Sequence, residues 1–181
     1  MKVRRRPLTP NDAMFRGGAV PYTPGSKSTP IDSNARLLRL VELAAAQSLD
    51  RSRRVGAVIV GADGEPLVFA CNGFPRGVAD REERHVRPEK YAWTIHAEIA
   101  AICAAARAGI STEGVTMVVN WFPCAECARA IVQSGIGKLV AFRPDLTDPR
   151  WGADFKIARE MLEEAGVELQ LCEAPKEEET P

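Results

Sequence analysis

Two short stretches carry side chains able to do chemistry: His96-Ala97-Glu98, and Pro123-Cys124-Ala125-Glu126-Cys127. One imidazole and two thiolates form a zinc donor set. Three protein ligands leave the fourth tetrahedral corner for water, which distinguishes a catalytic site from a closed structural one. Both stretches fall at expected helix starts, where unpaired N–H groups and the positive end of the helix dipole favour thiolate and lower its pKa. Glu98, two residues beyond His96, can reach the metal's water as a proton carrier without being a ligand. A Cys-x-x-Cys pair alone is equally a structural zinc knuckle or a redox pair, and a single helical His is commonly a core residue. Neither bland reading covers the whole set. The chain's only other histidine, His85, lies in a charged loop, and Cys71, Cys103 and Cys172 sit in apolar runs as buried small hydrophobes.

Elements that must position these groups follow from breakers and periodicity. Asp32 or Ser33 can cap a first helix whose apolar Leu37, Leu38, Val41 and Ala45 recur every three or four residues, ending near Ser48. The β-rich runs 55–60 and 66–71 flank Gly61-Ala62-Asp63-Gly64, a turn short enough to make them an antiparallel hairpin. A helix over 96–108, apolar nearly all round, stops at Gly109; a strand at 115–120 leads into a helix at 124–134 closed by Gly135. A strand at 138–142, a helix near 153–165 and a strand at 167–172 follow, and the intervening helix makes the last two strands parallel. The class is α/β: a five-stranded mixed sheet with helices on both faces.

At 181 residues, 45% hydrophobic and 27% charged, the chain has the size of one domain and excludes disorder throughout. Folding at this size buries roughly two-thirds of the unfolded surface, so a metal is needed for chemistry rather than as a staple. The 24 Lys and Arg balance 24 Asp and Glu, a net charge of zero that speaks against a polynucleotide or membrane partner. An odd five cysteines, with no signal-peptide pattern and no long apolar run, point to a reducing, cytoplasmic setting. Residues 1–32, dense in Pro and Gly, read as an N-terminal arm; 33–172 hold the catalytic domain; 173–181 form an acidic tail.

The pair H-x-E…P-C-x-x-C is the signature of the zinc nucleobase deaminases. Over about residues 34–172 the chain resembles the cytidine deaminase superfamily, and most closely its bacterial and phage deoxycytidylate deaminases. The matching flanks are Val55-Gly56-Ala57-Val58-Ile59-Val60, Asn72-Gly73-Phe74-Pro75-Arg76-Gly77-Val78 and Arg87-Pro88-Glu89-Lys90-Tyr91. The resemblance implies a three-layer α/β/α fold with strands 4 and 5 parallel, one zinc ion on His96, Cys124 and Cys127, and Glu98 as the catalytic acid and base. It implies a mononucleotide substrate, dCMP going to dUMP and ammonia, and a homo-oligomer, a dimer or hexamer. Substrate contacts are expected from Asn72 to the sugar, the Ala97 backbone to the pyrimidine edge, and Arg53, Arg76, Tyr91 and Trp121. Phosphate can be met by Arg51, Arg53, Arg54, Arg76, Arg87 or Lys90.

This chain departs from the family pattern at Ala100, where an Asn is usual, and at Arg51-Ser52-Arg53, where Pro-Ser-Thr is usual. Those departures open other substrates to the same chemistry: a modified cytosine nucleotide, cytidine or deoxycytidine, or a tRNA adenosine. A non-catalytic nucleotide-binding scaffold is the reading from another class, and Glu98 opposes it.

Overall fold

A computed structural model describes residues 33–174. The N-terminal arm, most of the acidic tail and the possible cap Asp32 lie outside the described residues. Helix α1 spans Ser33–Ala45, and β1 (Gly56–Val60) and β2 (Pro66–Cys71) form the expected hairpin. The short helix α2 (Lys90–Trp93) precedes α3 (Ala97–Ala108), and β3 (Thr116–Val119) leads to α4 (Ala125–Gln133). Then come β4 (Lys138–Phe142), α5 (Gly152–Glu164) and β5 (Glu168–Cys172).

The strand order is β2-β1-β3-β4-β5, antiparallel across the first two junctions and parallel across β3–β4 and β4–β5. Strand alternation sends Ala57, Ile59, Met117, Val119, Leu139 and Ala141 to one face, against α3, α4 and α5. Val58, Val60, Val118 and Val140 face the other way, against Val41 and Ala44 of α1. The result is the expected three layers. On α3, Ala97, Ala101 and Ala105 are fully buried, and a stripe this small lets the helix lie close to the sheet.

Three expectations need correction. The helix α3 is buried along that one stripe rather than all round: Cys103 is exposed, because alanines cost little apolar surface when left in water. Cys71 and Cys172 are likewise only partly buried. The segment 73–95, which carries no periodicity, holds a 3-10 turn at Glu82–His85 and helix α2, both too short to leave a repeating pattern.

Gly56 begins β1 directly beneath α1. A Cβ there would stand 2.3 Å from the Val41 carbonyl oxygen and 2.7 Å from the Ala45 nitrogen, both main-chain atoms that cannot swing aside. Gly56→Ala should therefore push α1 off the sheet and cost about 1–3 kcal/mol, at about 2–4 °C of melting temperature per kcal/mol for a chain this long; an unchanged melt would show that the contact is looser than described.

Candidate active site

His96 and Cys124 occupy equivalent places, each the N-cap of a helix, α3 and α4 respectively. Both have extended backbone, with φ −75° and −73°, so the chain arrives as strand or loop and turns into helix at the donor. Cys127 lies one turn into α4 and is fully buried, its Sγ returning toward the helix start. The His96 Nδ1 lies 3.4 Å from the Cys124 Sγ and 3.3 Å from the Cys127 Sγ. All three donor atoms fall within 4.8 Å of one another. Bond lengths of zinc to nitrogen and sulfur give a tetrahedral N···S edge of about 3.5 Å. The donors are thus spaced, and chemically matched, to hold a zinc ion.

Taken among themselves, these donors already favour a bound cation. The Cys124 thiol is held down to about 4, first by the hydrogen bond from Cys127 and then by that from His96. Its partner Cys127 is pushed up by donating to that thiolate and by burial. The thiolate, with the carboxylate of Glu98 beyond it, raises His96 to about 9. Glu98 is 3% exposed, and burial lifts its carboxyl above the ordinary carboxylate range. A carboxyl so placed gains and loses a proton more readily near neutrality than one in water.

A cleft of about 260 Å³ opens above these groups, at the C-terminal ends of the parallel strands β3 and β4, where α/β sheets characteristically bind ligands. His96, Ala97, Glu98 and Cys124 form its floor, and Val55, Phe122 and Phe155 its apolar sides. Phe155 is the hub of the aromatic wall, edge-on to Trp121 and Phe122 and stacked with Trp151 at 6.2 Å and 18°. At the mouth, the Arg53 guanidinium lies 3.5 Å over the Trp121 ring. Arg150 sits 4.7 Å over Tyr91 and hydrogen-bonds to its hydroxyl.

Of the expected substrate residues, Asn72, Ala97, Arg53, Tyr91 and Trp121 all line this cleft. Arg76 does not: it is exposed on the loop after β2 and outside the lining. Among the phosphate candidates, Arg53, Arg87 and Lys90 line the cleft, whereas Arg51 and Arg54 do not, and Arg51 pairs with Glu82 at the surface. Lys90 is itself committed, with Nζ 2.6 Å from both carboxylate oxygens of Asp50. Partial burial lowers the Arg53 pKa, Asp148 opposes that shift, and Arg87 adds to it, so two like charges crowd one rim.

Asn72 is held at both ends of its amide. Its Oδ1 accepts from Val55 N at 2.8 Å and Ser48 Oγ at 2.7 Å, while Nδ2 donates to Asp50 and to the Arg53 carbonyl. Ser48 Oγ also stands 2.8 Å from the Asn72 carbonyl, and its one hydrogen can serve either acceptor.

Sequence reading missed Asp50, Asp148, Arg150 and Trp151. The available signal for the last three was topological: they lie on the loop after β4, a parallel strand whose C-terminal end faces the site. Asp148 shapes that loop by accepting the N–H groups of Arg150 and Trp151, each at 2.8 Å. Among the described residues, no helix is long and apolar enough to cross a membrane.

Comparison with known proteins agrees with the geometry. The cytidine and deoxycytidylate deaminase zinc-binding region matches residues 32–143. An uncharacterized deaminase in the luxG 3' region of Aliivibrio fischeri is 37% identical over 137 residues, covering 74% of this chain and 89% of that protein. The deoxycytidylate deaminase of Enterobacteria phage T4 is 40% identical over 118 residues, covering 62% of this chain and 55% of its own length. In fold, the dCMP deaminase of cyanophage S-TIM5 superposes with a TM-score of 0.63 at 24% identity, covering 80% of this chain and all of that one. By the zinc-binding region that it matches over most of its folded length, the chain belongs to the cytidine and deoxycytidylate deaminase family.

Proposed function

We propose that this protein is a zinc-dependent deaminase of a cytosine mononucleotide, converting dCMP and water to dUMP and ammonia. The observation that carries the reading is the placement of Glu98: a buried carboxyl beside three zinc-matched donors, at the foot of a cleft whose mouth carries arginines. Relatives named as deoxycytidylate deaminases support the substrate class, and the phage fold neighbour, also known in complex with dCMP and dUMP, supports a site of this shape. A thiolate-ligated site suits a reducing compartment, which fits a cytoplasmic enzyme.

His96, Cys124 and Cys127 would hold the zinc, and the ion's contribution when bound is to acidify water so that a nucleophile exists at neutral pH. The chain's own residues do the rest. Phe122, Phe155 and Val55 exclude bulk water from the ring. The backbone at Ala97, fixed because α3 begins there, meets the pyrimidine edge. Glu98 takes a proton from the attacking water and delivers it to ring N3 as oxygen bonds to C4. It then carries the second proton to the amine at C4, so the C–N bond breaks with ammonia rather than amide leaving. A sugar hydroxyl can reach Asn72 Oδ1 when Ser48 turns its hydrogen to the Asn72 carbonyl.

The phosphate belongs at the mouth, with Arg53 and Arg150. Both guanidinium groups lie over aromatic rings, which hold them in place without neutralising them. An anion between them relieves the crowding of Arg53 by Arg87.

Two measurements test this reading. Glu98→Gln should lower turnover by about 10²–10⁴-fold with zinc content unchanged; near-normal turnover would remove Glu98 from the proton path. In an ammonia-release panel of dCMP, cytidine, deoxycytidine and a tRNA anticodon stem, wild-type protein should prefer dCMP, and Arg53→Ala or Arg150→Ala should raise its KM about tenfold or more. Deamination of the tRNA stem with none on mononucleotides would overturn the substrate assignment.

A further inference from the structure

Asp50 and Lys90 form a buried ion pair that the chemistry above does not use. Each residue is only 7% exposed, and Lys90 Nζ contacts both carboxylate oxygens at 2.6 Å. A buried pair of this kind is weak evidence for stability, since apolar residues of the same volume often serve as well. Its geometry is more informative. The Asp50 carboxylate also accepts the main-chain N–H of Ser52 at 2.8 Å, that of Arg53 at 3.1 Å, and Asn72 Nδ2 at 3.1 Å. One side chain therefore fixes the turn that delivers Arg53 and anchors it to the chain leaving β2.

Lys90 carries the tie across the mouth. It begins α2, whose next residue, Tyr91, holds Arg150, and its carbonyl accepts both the N–H and the hydroxyl of Thr94, two residues before His96. The pair thus joins the wall bearing Arg53 to the wall bearing Tyr91 and Arg150. Neither charge is offered to the cleft, because each satisfies the other.

We propose that Asp50 and Lys90 are positioning residues that set the separation of the two arginine-bearing walls, and thereby the preference for a nucleotide over a nucleoside. This rests on the mononucleotide reading above. It differs from a general structural role in one respect: loosening the pair should harm only substrates that carry the phosphate.

The test compares steady-state kinetics on dCMP and deoxycytidine for wild type and for the neutral pair Asp50→Asn/Lys90→Met, which removes both buried charges together. The expected result is a rise in KM for dCMP of about tenfold or more, with kcat within about threefold and kcat/KM for deoxycytidine within about twofold of wild type. Arg53→Ala, which raises the dCMP KM in the wild-type background, should add little in the neutral-pair background, since its guanidinium is already misplaced. Should the neutral pair melt below the assay temperature, Asp50→Glu keeps both charges but moves the carboxylate by one methylene from the Ser52 and Arg53 amides, and reads the same split. An equal loss on both substrates, or no loss on either, overturns the positioning role while wild-type preference for dCMP leaves the mononucleotide reading standing. Absence of dCMP turnover in the wild type overturns both.

Discussion

One imidazole and two sulfurs must be brought within a single ion's reach by helices that are 28 residues apart at their starts. No short-range interaction can do this. The parallel pairing of β3 with β4 requires a crossover, and α4 fills it, beginning where β3 ends. The antiparallel pairing of β1 with β3 then brings α3, packed on the same face through its alanine stripe, alongside α4. Once both helix N-termini meet at one edge of the sheet, the donors need no further support than their own capping positions, and the nearby Asp154 carboxylate takes the N–H of Ala125 at 2.8 Å to fix the start of α4.

The same edge explains why the cleft combines apolar walls with charged groups. Its floor is built from residues that the sheet and helices bury, so Glu98 loses water and its carboxyl is raised. Its mouth is built from loops, where arginines keep contact with solvent and rest on aromatic faces. Asp50 stands between the two regimes. Burial alone would raise its carboxyl, but the Lys90 hydrogen bonds and the Ser52 and Arg53 amides outweigh it and hold the group below its ordinary value. The result is a fixed negative charge under the rim, already neutralised, around which the mouth is organised.

Much of this was legible in the sequence, for a physical reason. The donors of a zinc site at helix starts are close in sequence, so His96-x-Glu98 and Cys124-x-x-Cys127 announce themselves by spacing. The helices and strands that position them carry periodic apolar residues and glycine stops; Gly109, for one, takes φ +70° and donates to the carbonyls of Ala105 and Ala106 to close α3. What escaped was built from aperiodic loops and distant partners. Lys90 finds Asp50 across 40 residues, and Arg150 finds Tyr91 across 59, so neither pairing leaves a local pattern. Arg76 misled because a loop cation next to a recognisable stretch says nothing about which way the loop turns.

The central claim is that His96, Cys124 and Cys127 hold one metal with a corner left open. X-ray absorption at the zinc edge of the purified protein tests it most directly, together with its metal content. One zinc per chain with two sulfurs at about 2.3 Å, one imidazole nitrogen near 2.0 Å and one further light atom from solvent is the expected result. A substoichiometric metal content, or a fourth protein ligand closing the tetrahedron, would contradict it.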